Sequence, residues 1–322
     1  MTKPAKIAIG IRKSKLSIAQ TNNFISEFKK NNVTYDDNFF QVKTIQTTGD
    51  VNLSHRLDQI GGKGLFTKEI EENIISGKID IGIHSLKDLP ATEHSDLEII
   101  CWLKRYVSSD ALISNSGKGI SELPSGAVVG TSSIRRRAQI LNVRQDLSIK
   151  LLRGNVDTRI QKLKDHKYDA IVLSLAGMQR LNLEEEITEV LDHEKFLPAA
   201  CQGAVGIQSK SNSHLKEFFS KLNHMKTQFE CSSEREVLKT IKANCNSPVS
   251  VFAEIKGEHI TISCQLFDHN GEILFKDSMS DEKYNCLQLG KAMGEQIINI
   301  VGQKKINELD VLNNDFDYTP KV

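Results

Sequence analysis

No stretch of this 322-residue chain approaches the roughly 20 consecutive apolar residues that span a bilayer, which argues against a membrane helix. The opening MTKPAKIAIGIRKSK has no long apolar run before its charges resume, so no secretory leader is expected and a cytoplasmic protein is. Cysteine is sparse: six residues, at 101, 201, 231, 245, 264 and 286, with no CxxC pair. That spacing argues against a zinc site and against a dense disulfide framework, so no metal is expected. An excess of either charge is also missing. With 42 basic against 41 acidic residues the net charge is +1, and the basic residues have no interleaved aromatics, so a nucleic-acid partner is disfavoured.

What is present is an ordinary apolar content of 39% in a chain long enough for two or three domains. Strand patterns at 6–11, 39–47 and 78–84 alternate with helical ones, and a second set lies at 126–130, 147–152 and 168–174. Two β-α-β-α-β lobes of parallel sheet are expected, with the chain crossing between them near 100–115 and again near 197–210. Residues 1–103 with 200–222 form lobe one, 104–199 lobe two, and 223–322 a smaller α+β domain. That last domain reads as a helix, then a three-strand meander turning at Lys256-Gly257 and Asn270-Gly271, then an amphipathic helix. The tail NELDVLNNDFDYTPKV reads as polar and loosely ordered.

The chemistry collects where strands end. The apolar run IDIGI discharges into HSLKDLP, where Leu89 before Pro90 is pushed toward extended geometry, leaving Lys87 and Asp88 on a loop. Loops at the carboxyl ends of strands are where open α/β sheets bind ligands. The other exits carry Arg12-Lys13-Ser14, then Thr131-Ser132-Ser133 before Arg135, Arg136 and Arg137, then Arg153 with Arg159, and Arg180. Lys63 sits among glycines in QIGGKGLFTKE. A capping Ser or Thr leaves backbone N–H groups aimed outward, and arginine adds a planar fork for carboxylate or phosphate. An arginine run is commonly a solvated helix face; arginines at several exits of one sheet edge instead predict a cationic cleft for a ligand with many acidic groups. Asp88 is the lone carboxylate in that setting, a place for acid–base work or for a developing cation. Cys101 and Cys264 lie in apolar runs and belong to cores. Cys245, in KANCNSPV, sits in a polar loop ahead of a proline, where an exposed thiol is a liability unless used.

Seven ordered segments, IRKSKLSIAQ, IGGKGLFTKE, HSLKDLP, VVGTSSIRRRAQ, LLRGNVDTR, LSLAGMQRL and LPAACQGAVGI, with a late cysteine loop after them, closely resemble the porphobilinogen deaminase (hydroxymethylbilane synthase) family. The resemblance covers nearly the whole chain and is densest in the first two lobes. It implies two lobes like those of type 2 periplasmic binding proteins plus a third domain, a monomeric cytoplasmic transferase of tetrapyrrole and haem biosynthesis, and porphobilinogen as substrate. It also implies a dipyrromethane cofactor on a thioether to Cys245, and Asp88 as the catalytic group. By motif position the cofactor's binders are Lys87, Asp88, Thr131, Ser132, Ser133, Arg135, Arg136 and Arg153. The substrate's are Arg12, Ser14, Lys63, Ser85, Arg153, Arg159 and Arg180. Three positions depart from the family pattern: Asn244 and Cys201 stand where glycine is usual, and Ile11 where threonine is. The competing class is a two-lobed binding protein for a polycarboxylate, which would have no use for Asp88 and a loop thiol together.

Overall fold

The computed structural model describes residues 6–31, 38–51, 64–243, 247–309 and 316–320. They fall into two compact units. Unit 1 holds the residues up to Tyr106 together with Ala204–Gln228, and unit 2 holds Val107–Gly203 and the residues from Phe229 onward. Strands are numbered along the chain: β1 (Ile7–Arg12), β2 (Phe40–Ile45), β3 (Ile81–Ser85), β4 (Leu97–Trp102), β5 (Asp110–Ser114), β6 (Val128–Thr131) and β7 (Ser148–Leu151). They continue as β8 (Ala170–Ser174), β9 (Glu189–Val190), β10 (Val205–Lys210), β11 (Val249–Lys256), β12 (His259–Phe267) and β13 (Ile273–Glu282).

Unit 1 is a five-stranded sheet in the order β2-β1-β3-β10-β4. The run IAIGIR is apolar without alternation because both faces of β1 are covered, as parallel strands require. Ile7, Ile9 and Ile11 pack with Phe24 and Phe28 of the Lys15–Asn31 helix. On the opposite face Ala8 meets a cluster around Ile70 and Ile74 of the Lys68–Ile75 helix. In unit 2 the order is β7-β6-β8-β5-β9. Val129, Ile149 and Val172 pack with Ile140 and Leu141 of the Ile134–Val143 helix on one side. Ile171 and Leu173 pack with Ile160 and Leu163 of the Val156–Lys164 helix on the other.

The sheets are mixed rather than wholly parallel. In each, one strand runs against its neighbours: β10 is antiparallel to β3 and β4, and β5 to β8 and β9. Both reversed strands come shortly after the chain changes unit, at Tyr106–Val107 and at Gly203–Ala204. Each therefore begins at the edge where its parallel neighbours end, and its first residues join the exit loops.

The remainder of unit 2 is the antiparallel sheet β11-β12-β13, one face of which buries Val251, Ile262 and Leu266 against Val237, Met293 and Ile297 of the Met225–Thr240 and Cys286–Val301 helices and against Ile241, just past the first. The other face is polar, with Thr261 bonded to Ser280 and Ser263 to Ser278 across the ladder. Both turns lie where the sequence puts them. Gly271, at φ +89°, could carry no side chain for a second reason: a Cβ there would lie 2.6 Å from the Asn142 N and 2.7 Å from the Ala138 O. This hairpin docks on the backbone of the Ile134–Val143 helix, and Asn142 donates to the Gly271 carbonyl at 2.8 Å.

The tail differs from the expectation of loose order. Among its described residues, Tyr318 exchanges both backbone hydrogen bonds with Ile149 at 2.8 Å, and the Leu151 N–H donates to Asp317 Oδ1 at 2.8 Å. Phe316 is buried in the unit 2 core with Tyr318 against it. Two aromatics spaced by two residues share a face of an extended segment, and that spacing, not the overall polarity, decides the docking. The tail caps the β7 edge.

Candidate active site

In unit 1 the register Ile9↔Ile81 and Gly10↔Gly82 sets β1 beside β3, so their exits share one edge. Arg12 ends β1 and lies over the Phe66 ring, its Cζ 4.1 Å from the centroid. Buried Ser14 caps the Lys15–Asn31 helix, its Oγ accepting from the Ser17 N–H at 3.1 Å. From that helix Gln20 donates to Ser85 Oγ at 2.8 Å, tying the β3 exit to it. Beyond Ser85 the chain makes one 3-10 turn, Leu86–Asp88, where sequence reasoning expected open loop. Proline control appears one residue later: Leu89 is extended, at φ −84° and ψ 129°. Leu86 is the buried anchor of the turn, and its N–H donates to the Ala204 carbonyl just before β10. Lys87 and Asp88 are half-buried. Behind them burial holds the His84 imidazole down at about 4, against a raising contact with Gln208 and helped by the Arg12 charge. His84 is therefore neutral at pH 7.

In unit 2 the exits of β6, β7 and β8 share an edge in the same way. Thr131 is buried and its hydroxyl accepts from the Ser133 N–H at 3.2 Å. Half-buried Ser132 comes next, and Ser133 caps the Ile134–Val143 helix by accepting from the Arg136 N–H. Arg153, after β7, is buried, and that burial lowers its pKa. Arg159 donates to the Gly154 carbonyl at 2.7 Å, and Arg180, ending the helix after β8, donates to the Gly203 carbonyl at 2.9 Å.

The arginine run is neither a solvated face nor a row of outward cations. All three side chains are buried, and two of them share a carboxylate that sequence reasoning missed. Asp110 Oδ2 accepts from Arg135 at 2.8 Å, and Oδ1 accepts from Arg136 at 2.7 Å and from Gln202 at 2.8 Å. Arg135 also donates to Gln139 and to the Leu197 carbonyl, and Arg136 to the Val172 carbonyl. Burial alone would push the Asp110 carboxyl up, but the charges and hydrogen bonds of the two arginines outweigh it and hold it far below the usual range. Asp110 reaches this position because β5 is reversed: Asp110 pairs with Ser174, the last residue of β8, at the exit edge. The signal in the sequence was one acidic residue opening the apolar run ALIS. Arg137 is structural, donating from Nε to the Phe316 carbonyl at 3.0 Å and from Nη1 to the His269 carbonyl.

Two guanidiniums around one carboxylate leave a net positive charge of one. The buried Nε–H donors of Arg135 and Arg136 have no hydrogen-bond partner among the described residues. Such a pair, beside a helix cap and buried Arg153, fits acidic substituents of a bound group. Lys63 and Cys245 lie outside the described residues.

Residues 7–217 match the family model described as porphobilinogen deaminase, dipyromethane cofactor binding domain, and residues 228–299 match that of the porphobilinogen deaminase C-terminal domain. A porphobilinogen deaminase of Lysinibacillus sphaericus is 43% identical over 276 residues, which cover 85% of this chain and 88% of that protein. One from Bacillus cereus is 41% identical over 277 residues, covering 85% and 89%. Among solved structures, a putative methionine-binding lipoprotein of Bacillus subtilis aligns over 68% of this chain and 90% of its own, at 10% identity and a TM-score of 0.41. The aliphatic sulphonate binding protein SsuA of Escherichia coli aligns over 74% and 71%, at 12% identity and a TM-score of 0.38. With two family models matched in sequence order and relatives above 40% identity over most of both chains, this chain belongs to the porphobilinogen deaminase family.

Proposed function

We propose that Asp88 carries the acid–base step by which this deaminase joins four porphobilinogen molecules head to tail, releasing one ammonia for each, with one water supplying the terminal hydroxyl of hydroxymethylbilane. The observation that carries this reading is the seat of Asp88. It is a half-buried carboxylate on a single turn that Leu86 anchors from below and Pro90 terminates, at the edge that also holds Arg12 and Ser85. A carboxyl group there protonates the departing amine. The carboxylate that results balances the cation left on the substrate, and accepts from pyrrole N–H as the new carbon–carbon bond forms.

Residues 7–217 match a dipyrromethane cofactor binding domain, and the cofactor when bound supplies the pyrrole end to which the first substrate is joined. Cys245 is its proposed thioether anchor. In this reading Thr131, Ser132, Ser133, Arg135, Arg136, Arg153 and Lys87 hold its acetate and propionate groups, and Asp88 accepts from its pyrrole N–H groups. Arg12, Ser14, Lys63, Ser85, Arg159 and Arg180 take the carboxylates of incoming substrate. Support comes from the unpaired Nε–H donors of Arg135 and Arg136 and from the family's motif positions. Asp110 fixes both guanidiniums, accepting from Arg135 and from Arg136. Among the described residues no helix is long and apolar enough to cross a membrane, and the family resemblance favours a cytoplasmic monomer.

The test is single-turnover ammonia release from porphobilinogen by Asp88→Asn, with cofactor loading checked by intact mass. The amide keeps the shape but cannot deliver a proton or balance a full cation, so release should fall by about 10²–10⁴-fold while the protein stays folded and loaded. Near-normal release by a loaded variant would leave Asp88 structural. Asp88→Glu should retain more activity than Asp88→Asn.

A further inference from the structure

Two of the scattered cysteines meet. Cys201 and Cys231 are both buried, as is Glu234, and the two sulfurs and a Glu234 carboxylate oxygen all lie within 4.8 Å of one another. Cys231 sits on the Met225–Thr240 helix one turn before Glu234, and the Cys201 thiol approaches the Cys231 carbonyl at 3.7 Å. Neither cysteine is in a disulfide. The backbone of Cys201 is left-handed, at φ +59°, a conformation that glycine adopts freely and that strains a residue with a β-carbon. A thiol held in that conformation beside a second thiol is poorly explained by packing, which alanine or glycine would serve without the reactivity.

We propose that Cys201 and Cys231 are a reversible oxidation site that forms a disulfide under peroxide. One thiol, as thiolate, attacks a peroxide oxygen; the O–O bond breaks, one water leaves and the sulfur becomes a sulfenic acid. The second thiol then attacks that sulfur, forming the S–S bond and expelling the second water. Two thiols lose two electrons and two protons, and one hydrogen peroxide becomes two waters. The bond would join residues on either side of the excursion into unit 1: Cys201 lies three residues before Ala204, where the chain enters unit 1, and Cys231 two residues after Phe229, where it returns. It would close the whole 202–230 segment into a covalent loop and so restrict the unfolded chain. A metal ion is the other occupant such a trio suggests. The Glu234 oxygens, however, already accept from the Cys201 N–H and, at 2.8 Å, from the Ala253 N–H, which leaves the carboxylate committed to the backbone.

The test treats the purified, cofactor-loaded chain with graded hydrogen peroxide, quenches in acid, alkylates in denaturant and digests with trypsin without reduction. Residues 196–210 and 227–235 should appear as one cross-linked peptide, two hydrogens lighter than the sum. The link should vanish on reduction and be absent from Cys201→Gly. The unfolding midpoint of the oxidised wild type should rise by several degrees, with no rise in Cys201→Gly. Because both thiols are buried, the reduced chain is also refolded in glutathione buffers of increasing oxidised share, which removes oxidant access as a variable. Failure of the 196–210 to 227–235 link in both arms overturns the proposal. So does stoichiometric zinc in the isolated protein that is lost in Cys231→Ala.

Discussion

Replacing Asp110 by asparagine keeps the shape of the buried side chain and removes its charge. In the wild type both carboxylate oxygens accept charge-assisted hydrogen bonds, at 2.8 Å from Arg135 and 2.7 Å from Arg136. In the variant one oxygen becomes an NH2 that points its hydrogens at a guanidinium, and two buried cations face each other without a counter-charge. Breaking a buried pair by removing one partner costs about 3–5 kcal/mol. In a unit of this size each kcal/mol moves the unfolding midpoint by roughly 2–4 °C, so the midpoint should fall by about 6–20 °C. Calorimetry at pH 7 reads this directly, and pH supplies an internal check. The Asp110 carboxyl is depressed in the folded state, so its contribution is fully present above its unfolded value of roughly 4 and is lost only as pH falls below that. The gap between wild type and Asp110→Asn should be the same at pH 7 and pH 5 and should narrow below about pH 4. An unchanged midpoint at pH 7, or a gap that closes between pH 7 and 5, would refute the claim that this carboxylate holds the two arginines.

Three other outcomes test separate parts of the molecule. His84 is buried neutral with its pKa down at about 4 against an ordinary 6.5, so the fold should lose about 3 kcal/mol as pH drops through that window; His84→Gln should lack this slope in urea midpoints measured at pH 7.5 and 4.5. Gly271→Ala forces a β-carbon into a left-handed turn and against the backbone of the Ile134–Val143 helix, and should cost about 2–4 kcal/mol by chemical denaturation; a neutral result would mean the hairpin does not dock there. Cys245→Ser should yield protein without the mass of two pyrrole units and without activity, while Cys201→Gly stays loaded, and the reverse pattern would move the cofactor anchor to Cys201.

What the sequence made legible is what short-range patterns encode. Ile81-Gly82-Ile83 opens a strand because a sheet covered on both faces tolerates consecutive apolar residues, and its exit carries Lys87 and Asp88 on a single turn because Pro90 stops the turn from lengthening. Gly257 and Gly271 mark hairpins because their positive φ is needed there. Asp110 escaped because its meaning depends on direction. As the first residue of a strand parallel to β8 it would stand at the far edge of the sheet, away from the arginines; in a reversed strand it stands among them. Nothing local to SSDALIS sets that direction. It comes from where the chain crosses between units, which is a property of the whole topology.

The same geometry explains why the two edges are built differently. β10 is reversed in unit 1 as β5 is in unit 2, so its leading residues also lie at an exit edge, but they are Ala204 and Val205. With no polar side chain to offer, that edge contributes a backbone carbonyl, and the carbonyl of Ala204 fixes Leu86 under the turn that carries Asp88. Unit 2 uses a carboxylate because it has two guanidiniums to fix and part of their charge to neutralise. Unit 1 uses a peptide group: the Ala204 carbonyl accepts from the Leu86 N–H and adds no charge beside Asp88. Each edge is anchored by its reversed strand, one through a side chain and the other through the backbone.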